Sequence, residues 1–243
     1  MKKYLSFAVV ALMLSLSACS VPHMALESNF KSQAQEMPVE GRKTFKPNGN
    51  FKIGGYTVAN VHRGWRNVGG FSIFSYQNIK ARQQHQFSLQ NEQGQEWYIF
   101  GASKLQEKSL KSNTGLTIRI APNLEYYASQ FTSPESGQWH LLTVDPGDYT
   151  RRKKFEGELS NGITTFTIVP VYKFEGKGMP MSDIVGYEFK DGSETIAAVQ
   201  VINNGKVWIR PETSSDIRMV LASAMASLLL YEKLNESTEN FEL

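Results

Sequence analysis

Across the middle of the chain apolar and polar residues alternate with a period of two, the spacing of half-buried β-strands. YTVANVH, from Tyr56 to His62, is one such run. QHQFSLQ and EWYIFGAS flank the polar stretch NEQGQ and predict a hairpin, and LTIRI is a further clean alternation. WHLLTV leads into DPGD, where Pro146 and Gly147 suit the centre of a type II turn. Phe155 to Leu159 runs into Asn161-Gly162, the strongest hairpin dipeptide, and then into ITTFTIVPVYKF. VGYEF, the turn Asp191-Gly192, ETIAAVQVI, the turn Asn204-Gly205 and KVWIR predict a three-stranded meander. Turns at such short, regular intervals favour a mainly β domain, an antiparallel sandwich or barrel, over a βαβ sheet.

The alternation ends near the carboxyl terminus. Between Met219 and Tyr231 the only polar side chains are Ser223 and Ser227. Ala, Leu and Met dominate without Gly or Pro, which predicts a helix over 215–234. The run Thr213-Ser214-Ser215-Asp216 offers a hydroxyl N-cap and an acidic residue at the positive end of the dipole. The thirteen central residues, 219–231, would extend about 20 Å, short of a hydrocarbon core near 30 Å. A helix without a polar face is surrounded by protein, so the strands are expected to assemble around it. Each serine is expected to bond a carbonyl one turn back.

The order GYEFKDGSETIAAVQVI, KVWIRPE, DIRMVLASAMASLLLYEKL resembles the end of the tubby-like superfamily, which includes phospholipid scramblases and LURP-one proteins. The hairpin FSLQNEQGQEWYIFG is similar to that family's strand units, with Asn91 where an aspartate is common. The resemblance implies a β-barrel threaded by its last, hydrophobic helix. Tubby-like domains are associated with phosphoinositides. Their lipid-contacting residues are not matched position by position here, so that function is not carried over.

At the other end, Lys2 and Lys3 precede an apolar core from Tyr4 to Leu16, the plan of a secretory signal. Leu16-Ser17-Ala18-Cys19 resembles the lipobox of bacterial lipoproteins. That resemblance implies cleavage between Ala18 and Cys19, lipid on the Cys19 sulfur and acylation of the new amine. Ser20, where an aspartate would favour inner-membrane retention, implies the outer membrane of a Gram-negative envelope, with the domain in the periplasm. Cys19 is the sole cysteine, so a lipidated chain has no thiol for a disulfide, a thiolate metal site or a nucleophile. The expected divisions are a signal peptide over 1–18, a lipidated tether over 19–47 and one domain over 48–243. A flexible tether of 28 residues from Ser20 to Pro47 would span roughly 30 Å.

Losing Lys2 and Lys3 leaves 24 basic residues against 23 acidic ones, so nothing points to nucleic acid. His23, His62, His85 and His140 are scattered without ligand spacing; no metal, cofactor or catalytic constellation is nominated. His62 and His85 are expected on the polar sides of strands. The densest charge run, Arg151-Arg152-Lys153-Lys154, and the group Arg63, Trp65 and Arg66 are candidates for an anionic partner, either envelope lipid or an acidic protein. The expected function is binding or scaffolding by an envelope lipoprotein. The alternatives are a hollow barrel holding an amphiphile and a hydrolase of envelope polymers.

Overall fold

Strands form at every alternating run named above and also at segments not singled out there. The strands are β1 (Gln35–Glu40), β2 (Phe51–Ile53), β3 (Tyr56–Arg63), β4 (Gln83–Gln90), β5 (Glu96–Ser103), β6 (Ser109–Lys111), β7 (Thr117–Arg119), β8 (Glu125–Ser133), β9 (Gly137–Asp145), β10 (Glu156–Ser160), β11 (Thr165–Val171), β12 (Gly186–Asp191), β13 (Glu194–Gln200) and β14 (Lys206–Ile209). Those not singled out are β1, β2, β6 and β8. Among the described residues two helices accompany them, α1 (Ser28–Gln33) and α2 (Ser215–Leu230). The computed structural model describes residues 22–43, 49–64, 83–103, 109–111, 117–119, 125–133, 137–145 and 155–231. Strands β6 and β7 pair with each other, and the other twelve close into an antiparallel barrel in chain order. β1 completes the ring by pairing with β14 on one side and β2 on the other.

The turns follow local chemistry. Asn91 Oδ1 accepts from the backbone N–H groups of Gln93 at 3.1 Å and Gln95 at 2.9 Å, fixing the β4–β5 reversal. Asn161 does the same for Ile163 and Thr164 between β10 and β11.

A barrel of about eight strands is filled by its own inward side chains; twelve leave a lumen that those side chains do not reach across. Helix α2, about 10 Å across, fills that space. It packs against β13 on one side and β5 and β8 on the other, and β13 and β5 lie opposite each other in the ring. Every residue from Met219 to Leu230 is buried. Inward residues of the wall, among them Ile53, Val58, Leu89, Ile99, Phe131, Leu141, Leu159, Phe189, Val199 and Val207, form one core with it. The expectation of a β-domain assembled around a buried terminal helix holds, and the barrel replaces the sandwich. The hydroxyl cap does not form: Ser214 occupies the N-cap position without a side-chain cap bond.

The helix gives the barrel two ends. At the entry end, where α2 begins, lie the start of β1 and the β2–β3, β4–β5 and β10–β11 turns. At the exit end, where α2 finishes, lie Arg63 of β3, Asp145 of β9 and the β11–β12 connection.

The expected boundary at residue 48 is too late. Residues 35–40 are β1, part of the barrel wall, and residues 22–34 lie against its outer surface. Two apolar anchors hold that segment, Met24 and Phe30, packed with Val185, Ala198 and Trp208. Met24 N–H donates to Gln200 Oε1 at 2.8 Å, and Lys31 pairs with Glu175. The segment reads as a tether because its anchors are widely spaced and only Met37 and Val39 of QEMPVE turn inward.

Candidate functional site

At the entry end a groove of about 610 Å³ opens between the start of α2, the β2–β3 turn and the β4–β5 turn. Met37 and Tyr56 provide its apolar wall, and Gln35, Asn91, Gln93, Gln95, Glu92, Ser215 and Arg218 its polar lining. Each is placed by an element already described. Gln35 starts β1, Tyr56 starts β3, and Arg218 lies in the first turn of α2. Arg218 donates to Gln35 Oε1 at 2.8 Å, and Asn91 Nδ2 donates to Gln95 Oε1 at 2.7 Å. These bonds engage the oxygens of Gln35 and Gln95. Among the described residues, the amide nitrogens of Gln35 and Gln95, the Gln93 carboxamide and the Glu92 carboxylate carry no internal bond. A Cβ on Gly55 would stand 3.0 Å from Glu92 Oε1, so the glycine makes room for that carboxylate. The groove therefore offers planar amide donors and acceptors, one cation, one anion and an aromatic ring.

At the exit end the polar groups turn inward and serve the helix. β3 carries a bulge between Ala59 and His62, where Asn60 takes φ +55°. Before it Val58 faces the core; after it Val61 does, so the parity of the strand changes and Arg63 is aimed at the helix terminus. Arg63 donates to the carbonyl of Leu230 at 2.7 Å. Arg42 donates to the carbonyls of Leu229, Val201 and Asn203. The last turn of α2 has no basic residue of its own, so the wall supplies the cations that its orphan carbonyls and dipole favour.

Beside them a chain of side chains crosses from wall to helix. His85 Nε2 lies 3.0 Å from Tyr127 Oη, which lies 2.6 Å from Ser227 Oγ, itself 2.7 Å from Ser129 Oγ. Ser129 donates to the carbonyl of Phe100. Its proton is then committed, so Ser227 donates to Ser129, Tyr127 donates to Ser227 at both Oγ and the backbone carbonyl, the latter at 3.1 Å, and neutral His85 takes the tautomer with its proton on Nε2. Burial, with the Arg63 charge second, lowers the His85 pKa to about 3. Burial likewise raises the Tyr127 phenol, outweighing its bonds to Ser227 and Ser129. Gly101 makes this approach possible, since a Cβ there would stand 2.5 Å from His85 Nε2 and 2.7 Å from Tyr127 Oη.

Two expectations are corrected by this geometry. His85 points into the barrel, 5% exposed, because β4 pairs it with Gly101 and Arg63 on the inward face. Ser227 bonds the wall instead of a carbonyl one turn back, and Ser223 Oγ has no partner among the described residues.

Of the residues singled out for an anionic partner, only Arg63 is described, and it is bonded to α2. Trp65, Arg66 and Arg151, Arg152, Lys153 and Lys154 lie outside the described residues, as do Ala18, Cys19, the turn at Pro146 and Gly147, and 232–234. The strands that flank the two basic groups, β3 and β9, both finish at the exit end. The groove was missed because its residues are dispersed over four segments; the recurrence of Gln and Asn beside turns is the only signal the sequence carried. Comparison with protein-family models, with curated proteins and with solved structures finds no match.

Proposed function

We propose that the chain is a lipid-anchored lipoprotein of a Gram-negative envelope, held by Cys19 in the outer membrane, whose barrel binds a polar ligand at the entry-end groove. The ligand class that suits this lining is an oligosaccharide or glycopeptide. Carboxamides of Gln35, Gln93 and Gln95 match hydroxyl and N-acetyl groups, Tyr56 offers a face for a sugar ring, and Arg218 suits a carboxylate. The observation that carries the reading is the pairing of this polar, open groove with a lumen already occupied by α2. An amphiphile-binding barrel would need that lumen for its ligand. The helix through the barrel is also what a tubby-like relationship implies, and we adopt that relationship as part of the reading.

The test is an NMR titration with soluble muropeptides and with core oligosaccharides of lipopolysaccharide. Shifts should cluster at Tyr56, Gln93, Gln95 and Arg218, and Arg218→Ala or Tyr56→Ala should weaken binding about tenfold, as loss of a charge-assisted bond or a stacked ring does. Saturable shifts located elsewhere, or unaffected by both substitutions, would remove the groove from the account.

A further inference from the structure

The segment at the start of the described chain and the β11–β12 connection form one unit at the exit end. His23 accepts from the backbone N–H of Glu175 at 2.8 Å, Ala25 donates to the carbonyl of Lys173 at 2.9 Å, and Met24 bridges to Phe174. Gly186 permits this contact, since a Cβ there would run into Met24 Sδ. Beyond the clamp the same connection carries Met179, 83% exposed, and Met181, 44% exposed. Lys173 and Lys177, both exposed, precede them, and Met181 N–H donates back to Tyr172. Glu175, paired with Lys31, and Asp183 offset those lysines, so it is the apolar tips that suit the boundary between acyl chains and headgroups. Ile163, 94% exposed, stands on the β10–β11 turn at the opposite end.

Cys19 precedes His23 by four residues, so even a fully extended chain places it within about 14 Å of His23. A nine-residue strand such as β8 is about 30 Å long. A lipid on Cys19 therefore tethers the exit end, and that end only, to the bilayer surface.

We propose that the β11–β12 connection is a membrane-contact surface: Met179 and Met181 enter the headgroup region beside the lipidated terminus, and the entry-end groove faces away from the bilayer. This rests on the Cys19 anchor proposed above. The occupant is the lipid bilayer itself.

The experiment uses the full lipidated chain in vesicles of phosphatidylethanolamine and phosphatidylglycerol. Met179→Cys and, separately, Ile163→Cys provide a free thiol for a nitroxide, both at exposed positions. The label at 179 should be reached several-fold more by oxygen than by a water-soluble nickel chelate, and the label at 163 should show the reverse. If the protein floats with the vesicles and carries an acyl mass on Cys19, yet the label at 179 is as open to nickel as that at 163, the contact surface is overturned and the anchor stands. If Cys19 carries no acyl group and the chain does not float, the anchor fails and this inference falls with it.

Discussion

The two helix serines show how one residue type takes opposite energetic signs. Ser227 joins Tyr127 and Ser129 in a bonded chain, whereas Ser223 is fully buried without a partner among the described residues. Removing a satisfied buried hydroxyl costs about 1 kcal/mol or more, and removing an unsatisfied one can be neutral or stabilising. Chemical denaturation should therefore show Ser227→Ala less stable by about 1–2 kcal/mol, and Ser223→Ala no less stable than the parent. Loss of stability in Ser223→Ala would mean that its hydroxyl is bonded. His85 gives the pH dependence. Its pKa falls from an ordinary 6.5 to about 3 on folding, so between those values the unfolded chain binds the extra proton. The stability due to neutral His85 is complete above pH 6.5 and is lost as pH falls toward 3, on the order of 5 kcal/mol in all. His140, lowered by burial, acts in the same direction. Denaturation between pH 7 and 4 should show a shallower slope for His85→Gln, and an unchanged slope would contradict the burial of that ring.

At the scale of elements, what was legible depended on whether an element's pattern is local. The β4–β5, β10–β11 and β12–β13–β14 hairpins stand where alternation and turn dipeptides put them, because neighbouring segments fix both register and reversal. Helix α2 was legible from the absence of a polar face. β1 was not, since its strandness depends on distant partners, Ile53 of β2, 14 residues from Val39, and Ile209 of β14, 174 residues from Gln35. The inward turn of Arg63 was equally hidden, for it depends on a bulge at Asn60 that no periodicity reveals. The groove belongs to the same class, assembled from the start of β1, two turns and the first turn of α2. The wall–helix coupling can be tested directly. Arg42→Ala removes bonds to three carbonyls, including Leu229 of α2, and should cost about 2–3 kcal/mol by calorimetry or denaturant titration. Leu228→Ala, at a 1% exposed position on the axis, should cost about 2–5 kcal/mol. A loss below about half a kcal/mol, typical of surface substitutions, at both positions would place the helix outside the core.

At the scale of the molecule, closure is the organising fact. A barrel has no free edges, and β1 covers the facing edges of β2 and β14. A lipid-free chain beginning at Pro47 would expose both edges and should aggregate or fail to melt cooperatively. One beginning at Pro22 should remain a soluble monomer, with size-exclusion chromatography and thermal melting separating the cases. Closure around a helix also predicts that wall and axis unfold together, because the inward face of the wall and the helix form one core. Native-state hydrogen exchange on the α2 amides from Met219 to Leu230 tests this most directly. They should exchange only through global unfolding, at the rate of the slowest amides of β5, β8 and β13. Exchange within minutes under native conditions, while those strand amides stay protected, would contradict it.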